Sequence, residues 1–266
     1  MDVAPAAPMK GSPRDKRMSE GPAGVRAPAG IALSVVLPAY NEAANLRATV
    51  EGALEVLRGL GGRFEVIVVD DGSRDGTGAL ADALARATPE IRAVHHPHNR
   101  GYGAAIRSGF TAATLPWLFF TDADGQFDLR ELPTLLSETA RADVVAGYRL
   151  RRQDPWFRRL YAFLFGRVLV RAVLGVRVRD LNCAFKLIRR DLVAGLDLKS
   201  DGALINAELL GKAKRAGARI VEAGVHHFPR RVGTQTGGNP RVIVRAFREL
   251  LALRAEIRAP RAKLER

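Results

Sequence analysis

Residues 31–42 read Ile31-Ala-Leu-Ser-Val-Val-Leu-Pro-Ala-Tyr-Asn-Glu42. From Ile31 to Leu37 the run is apolar and rich in β-branched residues, the pattern of a strand buried on both faces. Pro38 ends it. The period then changes. Between Glu42 and Leu57, the residues Leu46, Val50, Leu54 and Leu57 fall on one side of a helix. Gly59, Gly61 and Gly62 stop that helix. A buried strand, a polar loop and an amphipathic helix make one α/β unit.

The unit recurs along the chain. Strands are predicted at Phe64–Val69, Ile91–His95 and Trp117–Thr121, with helices at Thr77–Ala87 and Gly103–Thr114 between them. Strands alternating with helices at this rhythm predict an α/β fold: a doubly wound, mostly parallel sheet with helices on both faces. Ligand-binding residues are then expected at the carboxyl ends of the strands. The second half is less regular. Helices are predicted at Leu132–Ala140, Trp156–Val176 and Ala203–Ala216, and strands at Asp143–Gly147, Phe185–Ile188 and Arg219–His226. A basic helix follows at Val242–Arg258.

Composition limits the function classes. The chain has 266 residues, enough for one large core, and 47 % of them are hydrophobic, as in ordinary globular domains. The net charge of +14 is not ordinary and points to an anionic partner. Cys183 is the single cysteine, so neither an internal disulfide nor a thiolate metal cage is expected; this fits a reducing cytoplasm. Residues 1–30, rich in Pro, Gly and Ala, read as a disordered tail without a signal-peptide core. The best transmembrane candidate, Trp156–Val176, is broken by Arg158, Arg159, Arg167 and Arg171. Residues 31–239 are expected to form the domain, and 240–266 a basic amphipathic helix and tail. The apolar stripes of the two arginine-rich helices serve equally to cover the core or to lie on an anionic membrane.

Four polar loops follow four strand ends. The first, Pro38-Ala39-Tyr40-Asn41-Glu42, offers a ring for stacking, an amide and a carboxylate; it also reads as a turn with a helix N-cap at Asn41. The second runs from Asp70-Asp71 through Gly72-Ser73 to Asp75-Gly76-Thr77. Two carboxylates directly after a buried strand need partners, such as a ribose, a base edge or a metal. The third, Asn99 to Gly109, carries Gly101, Gly103 and Gly109. It lacks the spacing and position of a dinucleotide fingerprint. The fourth is Thr121-Asp122-Ala-Asp124-Gly-Gln126-Phe-Asp128. Asp122 and Asp124 are two apart, so in extended chain they share a side. A pair of hard oxygen ligands there suits Mg²⁺ or Mn²⁺ shared with phosphate; an acidic surface turn has the same composition.

Taken together, these four loops resemble the family 2 glycosyltransferases, and within them the dolichyl-phosphate mannose synthase-like branch of polyprenyl-phosphate sugar synthases. The resemblance covers roughly residues 33–239. It implies a GT-A-type nucleotide-sugar fold and metal-dependent inverting transfer of a sugar from GDP-mannose or a UDP-sugar to polyprenyl phosphate. It also implies roles. Pro38, Ala39, Tyr40, Glu42, Asp70, Asp71 and Asp122 match nucleotide-binding positions. Asp122 and Asp124 match the Asp-x-Asp metal motif, with Gln126 as a further ligand for Mn²⁺ or Mg²⁺. Asp122, Asp124 and Arg149 are the implied catalytic residues, and Arg149 and Arg231 the implied ligands of acceptor or donor phosphate. Gly147-Tyr148-Arg149 and Asp180-to-Lys186 resemble further branch signatures. One departure is Arg230-Arg231-Val-Gly233-Thr234-Gln-Thr236, where the branch often has Arg-x-x-Gly-x-Ser. Another is that no C-terminal transmembrane helices are readable.

An ionised phosphate acceptor needs no strong base. An alcohol acceptor would, and Asp201 or Glu208 are then candidates, unless they are only structural carboxylates. Three other readings compete. A soluble or polysaccharide acceptor uses the same fold. A nucleotidyltransferase would favour a glycine- and lysine-rich first loop, which is absent. A nucleic-acid-binding protein would suit the charge but not four acidic strand ends; no nucleic acid is expected. His95, His96 and His98 cluster without an acidic partner nearby in sequence, a weak case for zinc. His226 and His227 are expected to be structural. The expected location is the cytoplasm, at the inner face of the membrane.

Overall fold

The computed structural model describes residues 30–150 and 174–230, together with Arg171 and Leu253. The expected tail, the helix expected over 156–176 and the basic helix over 242–258 otherwise lie outside the described residues, as does Arg231.

Among the described residues, seven strands form one sheet in the order β3-β2-β1-β4-β6-β5-β7. They are β1 (Leu33–Ala39), β2 (Phe64–Asp70), β3 (Ile91–His95), β4 (Trp117–Thr121), β5 (Val144–Arg149), β6 (Phe185–Arg189) and β7 (Ile220–Val225). The pairs β1–β2, β2–β3, β1–β4 and β5–β7 are parallel, while β6 runs against both β4 and β5. The mostly parallel sheet therefore holds one reversed strand, a direction that apolar content does not encode.

Helices cover both faces. Along each strand alternate residues point to opposite sides. Val35, Leu37, Val66, Val68, Phe119 and Phe185 join one core cluster with the apolar stripe of α1 (Ala43–Leu60), α2 (Thr77–Ala87) and α4 (Leu132–Leu136). Val36, Ile67, Val69, Leu118, Phe120 and Ile188 join the other, with α3 (Tyr102–Ala112) and α6 (Ile205–Arg215). Leu253, within the range expected for the basic helix, is buried in this second cluster. Glycine is needed where α3 crosses the sheet: a Cβ on Gly109 would lie 2.2 Å from Val36 Cγ1.

Several boundaries moved. The helix expected over Leu132–Ala140 is a 3-10 turn at Leu129–Glu131 followed by the short α4. A short helix, α5 (Arg190–Ala194), follows β6 and was not expected. Helix α6 starts at Ile205, because residues 199–202 form a loop tied to α3. The Asp201 carbonyl accepts from the N–H of Gly103 at 2.7 Å, satisfying one of the open donors of α3.

That loop is held by Glu208, which is 1 % exposed. Its carboxylate accepts from Lys199 N at 2.9 Å, Ser200 N at 2.7 Å and Lys212 Nζ at 2.7 Å. Burial pushes this carboxyl up, but these bonds outweigh it and hold it below its ordinary value. A carboxyl depressed by folding adds stability above its unfolded pKa and loses it as pH falls. Glu208→Gln should therefore cost about 3 kcal/mol at pH 7. Denaturant titrations should show the gap to wild type narrowing below pH 4.5, the ordinary carboxyl value.

Candidate active site

A cavity of about 480 Å³ opens at the carboxyl ends of β1 and β4. It is lined by Pro38, Ala39, Tyr40, Asn41, Glu42, Asp71, Asn99, Gly101, Tyr102, Ala105, Asp122, Ala123, Asp124 and Arg230. This is where chain order along the sheet switches direction, the usual binding crevice of open α/β sheets.

The first two loops hold each other. Asn41 adopts a left-handed φ of 55°, which Asn tolerates better than most residues. Its N–H donates to Ser73 Oγ at 2.9 Å, and its Oδ1 accepts from Arg74 N at 2.9 Å. Asn41 is thus not the N-cap of α1. The Glu42 N–H donates to Thr77 Oγ1 at 2.8 Å and the Ala43 N–H to Asp75 Oδ2 at 3.1 Å, so the second loop caps the helix that follows the first. Burial raises the Asp75 carboxyl, but the Thr77 hydroxyl and the N–H groups of Ala43 and Thr77 hold it below its ordinary value. Tyr40 is 41 % exposed, a ring left at the cavity's rim.

Asp70 and Asp71 diverge. Asp71 lines the cavity and secures the third loop. Its Oδ1 accepts from Arg100 N at 2.9 Å and faces His96 Nδ1 at 2.6 Å, and its Oδ2 accepts from Gly101 N at 2.8 Å. His96 Nε2 lies 2.8 Å from Ser108 Oγ on α3. Asp70 is not among the lining residues. Its Oδ1 accepts from Ser73 N, and its Oδ2 faces His95 Nδ1 at 3.3 Å. The other His95 nitrogen faces Asp82 at 3.0 Å. Desolvation pushes His95 down, but Asp82 and Asp70 outweigh it and raise its pKa. The histidine cluster thus has acidic partners that sequence distance concealed. Among the described residues no three His, Cys, Asp or Glu side chains converge on a metal cage.

Asp122 and Asp124 reach the cavity together. Burial, then the charge of Asp124, raises the Asp122 carboxyl to about 7; Glu42 adds to this, while the nearby Tyr102 hydroxyl and Lys186 ammonium oppose it. Burial, with the charge of Glu42, also raises Asp124, although Gln126 N donates to its Oδ1 at 3.0 Å and Arg230 lies nearby. Tyr102 Oη is buried and makes no hydrogen bond of normal geometry. Burial and then Asp122 push its pKa well above the ordinary value. Two carboxylates that repel each other at the floor of a cavity, beside a buried hydroxyl, fit a divalent cation that would share its remaining positions with phosphate. Gln126 donates through Nε2 to Phe228 O at 2.8 Å, which leaves its Oε1 as the acceptor end of the amide.

Other expected residues lie apart. Arg149, at the end of β5, forms a bidentate pair with Asp180: Nε to Oδ2 at 2.6 Å and Nη2 to Oδ1 at 3.0 Å. It does not line the cavity. Asp201 pairs with Arg107, and Glu208 is occupied as described, so neither candidate base faces the cavity. His226 donates through its backbone N–H to Glu131 Oε2 at 2.7 Å, with its Nδ1 2.6 Å from Oε1, a structural role. Cys183 is fully buried, and burial pushes its thiol up to about 12.

Two cations of the site were not singled out from sequence. Lys186 is fully buried on β6 behind β4, with its Nζ on Leu181 O at 3.1 Å, Asn206 Oδ1 at 2.8 Å and the Cys183 carbonyl. Burial lowers its pKa to about 8, against the pull of Cys183, Asp180 and Asp122. A lysine inside an otherwise apolar strand was the available signal. Arg230 reaches Glu42 and Asp124 from across the cavity.

Comparison with known proteins agrees with this geometry. The family model described as glycosyl transferase family 2 matches residues 34–196. Polyprenol monophosphomannose synthase of Mycolicibacterium smegmatis is 34 % identical over 243 residues, covering 86 % of this chain and 89 % of that protein. Glycosyltransferase AglD of Haloferax volcanii is 34 % identical over 229 residues, covering 83 % of this chain but only 36 % of AglD. Undecaprenyl-phosphate 4-deoxy-4-formamido-L-arabinose transferase of Aeromonas hydrophila is 36 % identical, covering 60 % of this chain and half of that protein's length. Among solved structures, glucosyl-3-phosphoglycerate synthase of Mycobacterium tuberculosis, in complex with Mn²⁺, uridine diphosphate and glucosyl-3-phosphoglycerate, superposes with a TM-score of 0.62 at 23 % identity. It covers 86 % of this chain and 80 % of that one. That likeness establishes a shared GT-A-type fold.

A carboxyl raised by folding costs stability once ionised, and the cost is complete only above its folded pKa. Asp122→Asn should therefore stabilise the protein in chelator at pH 8, raising the thermal midpoint by about 2–4 °C. The gain should vanish towards pH 4, near the ordinary carboxyl value of 3.8. Differential scanning fluorimetry across pH measures both.

Proposed function

This chain belongs to glycosyl transferase family 2, and we propose that it moves a sugar from a nucleoside-diphosphate sugar to a polyprenyl phosphate, with inversion at the anomeric carbon. The observation that carries the donor half is the cavity at the β1/β4 switch point, where Tyr40, Asp71, Asp122 and Asp124 face one space. The acceptor half is supported by the relatives named as polyprenol and undecaprenyl-phosphate sugar transferases.

In this reading Tyr40 offers its ring to the base. Asp71, already held by Arg100, Gly101 and His96, presents an acceptor-only carboxylate to a base or ribose N–H or O–H. Asp122 and Asp124 would hold Mn²⁺ or Mg²⁺, with Gln126, whose N–H donates to Asp124 Oδ1, as the proposed further ligand; the cation would supply Lewis-acid stabilisation of charge on the departing diphosphate. A phosphate monoester has its second pKa at about 6, so the acceptor arrives ionised. An acceptor oxygen attacks the anomeric carbon, a new C–O bond forms, and the bond to the nucleoside diphosphate breaks on the opposite face. No proton has to be removed, and among the described residues no histidine lines the cavity. Arg149, pre-set by Asp180, and Arg231 are the proposed ligands of the acceptor phosphate. A lipid acceptor brings the site to a membrane surface, and the net charge of +14 supports a peripheral approach to anionic lipid at the cytoplasmic face.

The decisive assay offers labelled GDP- and UDP-sugars with a short polyprenyl phosphate, in Mn²⁺, Mg²⁺ or chelator. Lipid-linked product is expected with one donor class and lost in chelator. Asp124→Ala should lower the rate by at least about 10²-fold. Product that persists in chelator would remove the metal from the mechanism. Metal-dependent donor hydrolysis without lipid product would move the acceptor elsewhere. Separately, the protein should co-sediment with anionic liposomes at low salt and dissociate as salt rises; no co-sedimentation would remove the membrane contact.

A further inference from the structure

Arg230 occupies an unusual position for a cation beside a metal site. Its Nη2 is 2.5 Å from Glu42 Oε1, and its Nη1 is 3.8 Å from Asp124 Oδ2. The Arg230 side chain is only 15 % exposed and those of Glu42 and Asp124 11 % each, so the three share one shielded space. Glu42 belongs to the loop after β1, Asp124 to the loop after β4, and Arg230 to the segment after β7. One guanidinium thus bridges three strand ends.

The segment that carries Arg230 is itself zipped to the Asp-x-Asp loop. Phe228 N donates to Gln126 O at 2.8 Å, and Gln126 Nε2 donates to Phe228 O at 2.8 Å. Phe127 and His227 form an antiparallel bridge with their rings 4.9 Å apart. Residues 226–228 are therefore tied down by backbone and side-chain hydrogen bonds to Glu131 and Gln126, while Arg230 also reaches acids that suit a metal. A flexible, monovalent side chain at Asp124 is a weaker partner for a carboxylate than a divalent ion in direct contact.

We infer that Arg230 is a built-in counter-ion that the divalent cation displaces from Asp124, so that metal binding and repositioning of the Arg230 end of the segment form one coupled event. The inference rests on the metal-site reading of Asp122 and Asp124. It goes beyond that reading in making the metal-free site partly neutralised by its own cation, with an affinity for metal set by competition. Displaced from Asp124, the guanidinium remains within the cavity wall with its fork available to a diphosphate oxygen, a group it matches in charge and geometry. Metal alone should then bind modestly, and metal with a nucleoside diphosphate should bind with positive coupling.

Mn²⁺ binding to the full chain, followed by the electron paramagnetic resonance signal of the free aquo ion, tests this without any turnover. Wild type, Arg230→Gln, Arg230→Lys and Asp124→Ala are titrated with Mn²⁺ alone, and then with UDP or GDP present. Arg230→Gln should bind Mn²⁺ alone about tenfold more tightly than wild type, because its competitor is gone. Arg230→Lys, which keeps a charge, should fall between them. With UDP or GDP the order should invert, and the gain in Mn²⁺ affinity on adding nucleotide should be smaller in Arg230→Gln than in wild type. Equal or weaker Mn²⁺ binding by a folded Arg230→Gln overturns the inference while leaving the metal site intact. If Arg230→Gln fails to fold, Arg230→Lys decides alone: tighter Mn²⁺ binding supports displacement, and unchanged binding overturns it. Wild type that binds no Mn²⁺, or Asp124→Ala that binds as well as wild type, overturns the metal-site reading and this inference with it.

Discussion

Asp122 and Asp124 are buried where the sheet changes direction, with Glu42 lining the same cavity, and this burial of neighbouring acids, sharpened by their repulsion, is the constraint to which the surrounding residues answer. Two unit charges about 4 Å apart interact by roughly 4 kcal/mol at an effective dielectric near 20. A whole domain is stable by only about 5–15 kcal/mol. A cluster of this kind needs cations arranged around it. Lys186 supplies one from behind β4, buried completely and held by two carbonyls and the Asn206 amide. Arg230 supplies another from the front. The difference between them is anchorage. Lys186 is fixed by uncharged acceptors that no ligand will remove. Arg230 reaches Asp124, a carboxylate that a metal ion would claim.

The same accounting separates structural acids from chemical ones. Asp75 accepts from Ala43, Thr77 and the Thr77 hydroxyl, and Glu208 from Lys199, Ser200 and Lys212. Both carboxyls are depressed below their ordinary values, so both add to stability when ionised. Asp122 and Asp124 are raised instead, and so subtract from it. Carboxylates thus divide by how far the fold offsets their burial. Unsatisfied acids in a cavity are characteristic of sites that wait for a ligand. Asp71 stands between the two groups, because it both pins the third loop and faces the cavity.

Much of this was legible from residue order, because strand ends in a doubly wound sheet converge by topology alone. Ile91–His95 and Trp117–Thr121 form strands over the expected ranges, and the loops after β1 and β4 meet as a parallel sheet requires. What was not legible depends on partners far apart in the chain. Glu42 lies 188 residues from Arg230, and Glu131 lies 95 from His226. Asp71 and His96 are 25 apart, which hid the acidic partner of a histidine that looked isolated. The reversal of β6 was hidden for a related reason. A strand buried on both faces reads alike in either direction, and only pairing shows that Lys186 sits opposite Phe120. Asp201 and Glu208 looked like candidate bases because composition cannot show that Arg107 and Lys212 already hold them.

A strongly basic chain built around an acidic cavity is consistent once range is considered. At physiological salt the Debye length is about 8 Å, so a distant anion feels the summed positive field only near the surface and is drawn towards it. Inside the cavity local charges dominate, and a diphosphate would meet Glu42, Asp122 and Asp124 as repulsion. A monovalent guanidinium between two of them cannot reverse that sign. A divalent ion at Asp122 and Asp124, as proposed, would, and it would leave Arg230 as additional positive charge rather than as a counter-ion for Asp124. Attraction at long range then comes from the arginine-rich exterior, while acceptance at short range depends on the cation. In the proposed reading an anion arriving without a cation would be met by carboxylates, so the acidic cavity would favour metal-bound diphosphates over the many other anions that a +14 surface attracts.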